Sequence, residues 1–152
     1  MEAFATALLT ISAAAWVGAI VFQSGVVAPA VFADLDADSA RRFLRTLFPR
    51  LFKLGILCGL LMGAAALLLA ANGSWSSPLQ VIAAATGVML VLELISLWLV
   101  PRINAARDAG AVAEDRFARL HRASVLMSVI ILLLGLVTLG IIGVHAATGL
   151  AG

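Results

Sequence analysis

A single carboxylate, Glu93, lies inside the apolar run from Pro78 to Pro101, PLQVIAAATGVMLVLELISLWLVP. A carboxyl group in hydrocarbon must find a partner, take up a proton or line a wet cavity. Such residues mark proton relays and ion paths, which makes Glu93 the first candidate for chemistry. The polar side chains able to meet it are Gln23, Ser96, Ser124, Ser128 and His121. Glu93 stands eight residues before Pro101, ~12 Å along a helix, and Gln23 six before Pro29, ~9 Å. His121, Ser124 and Ser128 follow at spacings of three and four, on one helical face. These groups are expected to converge in one leaflet, with no comparable set in the other. The cluster admits two uses: a functional pocket, or hydrogen bonds that hold helices together at about 0.6 kcal/mol each.

Other chemistries find little support. His121 and His145 are 24 residues apart on one span, ~36 Å, too far to share a metal or haem. The lone Cys58 allows no intrachain disulfide and reads as a small buried hydrophobe. Asp34, Asp36 and Asp38 imitate the opening of a calcium loop. The match fails where Ser39 replaces the required Gly and Arg45 the bidentate Glu. No phosphate loop, serine-nucleophile elbow, paired cysteine motif or zinc-protease motif occurs. The expectation is a protein that is not an enzyme and holds no cofactor or metal.

The elements that must position Glu93 follow from composition. Of 152 residues, 63% are hydrophobic and 12% charged, and the mean hydropathy is +1.13. That is too few charges to coat a water-soluble globule, since soluble domains are about a quarter charged. Apolar runs long enough to span a bilayer predict an all-α, four-helix transmembrane bundle. It forms one membrane domain, 1–152, with spans at about 4–31, 50–71, 79–100 and 121–145. The first is expected to be a retained span rather than a leader, since no basic segment precedes it. Within it Gly18, Phe22, Gly25 and Pro29 share a face, which predicts a close helix contact. In the second span Gly55, Gly59 and Gly63 recur every fourth residue and predict tight packing. Between these spans, Asp36, Asp38 or Ser39 caps a short amphipathic helix with Phe43, Leu44, Leu47 and Phe48 on its apolar side. Arg41, Arg42 and Arg45, with Arg50 and Lys53 beyond, are expected to contact lipid headgroups. Pro49 would open the next span. Trp75, in the turn 72–78, reads as an interface anchor, and Asp115 with Arg119 as an ion pair.

All ten Lys and Arg fall in two segments, 41–53 and 102–122. Basic loops stay in the cytoplasm, which puts both termini outside. The net charge of +2 gives no reason to expect nucleic acid as a partner.

Trp16-Val17-Gly18, Phe22, Ala28-Pro29, Phe32, Leu47-Phe48-Pro49, Pro101-Arg102 and the run Phe117 to Ser124 together resemble the transmembrane protein 205-like family. Bacteria carry it as a domain of unknown function. The resemblance covers nearly the whole chain and implies a four-helix membrane protein; it supplies no reaction or substrate. Where relatives often place Asn soon after Ser124, this chain has Met127-Ser128. The expected location is the bacterial cytoplasmic (inner) membrane. Two functions are compatible with these residues. The favoured one is a helix-packing accessory subunit or self-associating scaffold, whose partners are the bilayer, other membrane subunits or itself. The alternative is a small transporter in which Glu93 exchanges a proton for a cationic or lipophilic solute.

Overall fold

The computed structural model describes residues 1–74 and 76–150, so the expected anchor Trp75 lies outside the described residues. Helix α1, Glu2–Phe22, passes through a π-turn, Gln23–Val27, into α2, Ala28–Asp34. The π-turn has a local cause. Pro29 has no N–H, and its ring would clash with the carbonyl four residues back in α geometry. The wider turn, in which Ala28 N–H donates to Gln23 O, gives that ring room. The chain then turns at Leu35, and Asp36 caps α3, Ala37–Ala71, accepting the N–H groups of Asp38 and Ser39 at 3.0 Å each. That capping, with the Ser39 side chain as the largest influence, holds the Asp36 carboxyl below its ordinary pKa of 3.8.

Helix α3 ends in a Schellman motif. Gly73 takes the left-handed conformation at φ 85°, and its N–H donates to Ala70 O while Ser74 N–H donates to Leu69 O. After that turn come α4, Ser77–Asp108, a 3₁₀ turn, Gly110–Ala113, and α5, Glu114–Leu150. Four helical segments are long and apolar enough to cross a membrane: Glu2–Asp34, Ala37–Ala71, Ser77–Asp108 and Gly110–Ala147.

The helices outrun the expected spans at their charged ends. Residues 37–48 do not form a separate interfacial helix; they are the first turns of α3, which continues through Pro49. Pro101 likewise lies inside α4 rather than at its end. A proline removes one backbone hydrogen bond, but a long helix held on both sides of it by packing absorbs that loss. Next to Pro101, the Arg102 guanidinium lies 3.1 Å from the Trp98 ring centroid and donates to Trp98 O at 2.7 Å.

Short turns make the four segments antiparallel. Around the bundle the order is α1, α3, α4, α5, with α5 closing back on α1, and neither diagonal pair brings its backbones close among the described residues. The core is Leu9, Ala13, Trp16 and Ile20 of α1, Cys58, Met62 and Ala65 of α3, Ile82 and Met89 of α4, and Ile131 of α5. Polar links tie both ends. Arg45 of α3 pairs with Asp108 of α4 at the basic end. At the other end Ser74 Oγ donates to Glu2 Oε1 at 2.8 Å. The remaining ion pair among the described residues is Arg41 with Asp38, so Asp115 and Arg119 do not form the pair expected of them.

Candidate functional site: a buried carboxyl beside an indole

Glu93 sits in the middle of α4 with 1% of its surface exposed. It meets Trp16 of the diagonally opposite α1, and Gly55 of α3 makes the meeting possible. A methyl group built on Gly55 would stand 2.5 Å from Trp16 Cζ2, 2.7 Å from Trp16 Cη2 and 2.8 Å from Glu93 Cδ. Two large side chains therefore flank one missing Cβ, and any residue but glycine would drive them apart.

The polar atoms at this junction are left open. Both carboxyl oxygens of Glu93 and Nε1 of Trp16 are buried without a hydrogen-bond partner. The indole edge at Gly55 is Cζ2–Cη2 of the six-membered ring, and Cζ2 is two bonds from Nε1. An ionised carboxylate left unpaired in such a place costs several kcal/mol. That is a large part of a domain's net stability of about 5–15 kcal/mol. A proton on the carboxyl, or a donor reaching it, removes that cost.

Most of the expected cluster lies elsewhere. Ser96, fully buried one turn beyond Glu93, directs its hydroxyl at Met127 Sδ, 4.0 Å away on α5. Gln23, half-buried in the π-turn, accepts from Ser24 Oγ at 3.1 Å. Ser128 Oγ donates to the Ser124 carbonyl at 3.1 Å, inside their own helix. His121 is exposed and stacks on Phe117, with ring centroids 5.6 Å apart. None of these hydrogen-bonds Glu93. Lys53 is exposed and makes no ion pair with it. The other half of the bundle was expected to hold no comparable polar set. It holds Ser12, Thr86 and Thr138 on three helices. Thr86 Oγ1 donates to Ile82 O at 2.8 Å, while Thr138 Oγ1 has no partner.

The glycines divide as sharply. A Cβ on Gly59 would press on Leu90 Cδ2 at 2.6 Å, whereas Gly63 faces open space. The close contact expected along Gly18 and Gly25 is also absent, since a Cβ on either would meet nothing within 4 Å, and Phe22 and Pro29 on that face are exposed. The notch that α1 does use belongs to α5, where a Cβ on Gly135 would meet Val17 Cγ2 at 2.6 Å. Of the basic residues, Arg50 and Lys53 are exposed, Arg42 donates to Ser39 Oγ at 2.8 Å, and Arg45 is held by Asp108.

Trp16 is the site residue that residue types and spacing did not single out. A usable signal was present: tryptophan favours the membrane interface, and this one stands deep in its span, where it needs a reason to be.

No group of three or more His, Cys, Asp and Glu side chains able to hold a metal occurs among the described residues. Four helices of membrane length and apolar composition around a buried carboxyl fit a polytopic membrane protein. Residues 11–112 match the family described as Domain of unknown function (DUF4149), and the chain belongs to that family. The match runs from α1 through the turn after α4 and stops short of α5. It does not carry the transmembrane protein 205-like name, and the motif Phe117 to Ser124 lies beyond it. No curated protein and no solved structure matches the chain.

Proposed function

We propose that the protein is a small proton-linked membrane carrier in which Glu93 exchanges a proton for a cationic or lipophilic solute. The observation that carries this reading is that the Glu93 carboxyl and Trp16 Nε1–H, both buried and both without a hydrogen-bond partner, belong to the two side chains that flank Gly55. A carboxyl kept only to join helices would be hydrogen-bonded to them, and this one is not. Trp16 supplies a donor for the charged form once the proton leaves, and its indole face suits a cation. In the proposed orientation the basic end faces the cytoplasm of a bacterial inner membrane, with both termini outside.

The accessory-subunit reading loses its first supports, because Gly55 and Gly59 are occupied within the chain and the separate interfacial helix is absent. It keeps one observation. Gly18, Phe22, Gly25 and Pro29 present an open face along α1, the π-turn and α2 that another membrane helix could cover.

Vesicles loaded with a pH dye separate the two. In the carrier reading, an imposed gradient of tetraphenylphosphonium drives proton movement through the wild type and not through Glu93→Gln. Absence of coupled flux in the wild type, with stoichiometric co-purification of a larger membrane complex, would replace it with the accessory reading.

A further inference from the structure

At the basic end of the bundle, a cavity of about 250 Å³ opens where the α2–α3 corner meets the end of α4. Phe32, Leu35, Ala37, Ala40 and Leu44 make its apolar lining, and Arg41 and Arg107 bring two guanidinium groups to it. No acid lines it. Arg41 Nε is buried and has no hydrogen-bond partner, and its NH2 reaches Asp38 Oδ1 only at 3.9 Å. Arg107 makes no ion pair among the described residues; its guanidinium lies 5.0 Å from the Phe117 ring centroid. Asp108, the nearest acid on α4, is taken up by Arg45. That pair also ties α4 to α3, which keeps Arg107 opposite Arg41.

The cavity thus joins two forked donors, Arg107 with no ion pair among the described residues and Arg41 held only at 3.9 Å by Asp38, to apolar walls at one end of the membrane-length helices. An inorganic anion would use the arginines and leave Phe32 and Leu44 idle. A neutral lipid would use the walls and leave the charges unanswered. Guanidinium groups bind phosphate oxygens in a fork, and acyl chains beside the phosphate suit Phe32, which is two-thirds exposed at 66%. We infer that this cavity is a discrete binding site for one anionic phospholipid, its headgroup phosphate held between Arg41 and Arg107. This is more specific than the spread of headgroup contacts expected along 41–53, since Arg42, Arg45, Arg50 and Lys53 do not line the cavity.

The experiment is thermal unfolding of the full chain in a neutral detergent with added phosphatidylglycerol, phosphatidylcholine or inorganic phosphate. Phosphatidylglycerol should raise the unfolding temperature saturably, and the other two should not. Arg41→Gln with Arg107→Gln should weaken the apparent affinity by about tenfold or more, the scale of a lost charged hydrogen bond. Arg42→Gln, which removes a neighbouring charge outside the cavity, should leave it unchanged. Ala37→Trp fills the cavity with every charge intact and should also abolish the effect, so the inference stays testable if the arginine variant folds poorly. Equal stabilisation by phosphatidylcholine or by phosphate alone would overturn it. So would a loss in Arg42→Gln as large as in the arginine pair, or full binding in Ala37→Trp.

Discussion

At the scale of single residues, Glu93 gains its character from what the fold withholds. Its oxygens lie in the core with no hydrogen-bond partner, and Trp16, whose Nε1 also has none, stands beside the same Gly55 gap. If Trp16 is the donor for the charged carboxyl, its emission must follow the protonation of Glu93. Phe at positions 75 and 98 leaves Trp16 as the one fluorophore. Replacing Cys58, the other buried titratable group near the junction, with Ala removes its contribution. The emission of that protein should then change with pH and become flat when Glu93→Gln is added. A flat response with Glu93 present would remove Trp16 from the site. Outside the membrane-length core, Asp36 offers a simpler pH effect. Its carboxyl lies below 3.8 because Ser39 and the backbone amides favour the charged form. A depressed value means that the cap stabilises the folded protein above the ordinary carboxylate range and is lost as pH falls through the lower, folded value. The Ser39 amide resonance should therefore titrate with a midpoint below 3.8. Asp36→Asn, still a good cap, should abolish that titration; a midpoint at or above the ordinary value would mean that the capping bonds are absent in solution.

At the scale of the element, glycine decides where helices touch, and the three glycines of α3 make unequal demands. Gly55→Ala places a methyl against a rigid indole and a buried carboxyl, so it should cost about 1–3 kcal/mol, as overpacking does. Gly63→Ala meets nothing and gains helix propensity, so it should be neutral or stabilising within about 1 kcal/mol. Thermal unfolding of the two variants in detergent checks this; equal effects would mean that the stripe faces a single uniform surface. The every-fourth spacing showed that these glycines share a face, and it could not show how far along that face the neighbouring helix stays close. The same limit applies to the prolines. Pro49 and Pro101 were reasonable boundary signals, since proline disfavours α geometry in the residue before it. Whether a helix runs through one depends on packing at both sides, which local residues do not reveal. The open face of Gly18 and Gly25 has the same origin: periodicity identifies a face, and only the neighbouring helices decide whether it is covered.

At the scale of the whole molecule, the number of spans was legible because lipid leaves the backbone little choice. Every peptide group must bond within its own helix, so apolar length alone announces each crossing. Which side chains from different helices meet was not legible, because Trp16 and Glu93 come from diagonal helices and touch only through the gap at Gly55. The basic residues gather at one end of the bundle, and the orientation proposed from them has a direct check. A fluorescent protein that folds only in the cytoplasm should be bright when inserted near Ala111 and dark when fused after Gly152; the opposite pattern would invert the protein. The central claim is that Glu93 surrenders a proton when a cationic solute binds. Its most direct measurement is proton release from the purified protein in weakly buffered solution as tetraphenylphosphonium is added. The carrier reading predicts release in proportion to bound cation in the wild type and none from Glu93→Gln. Binding without release, or the same release from Glu93→Gln, would contradict it.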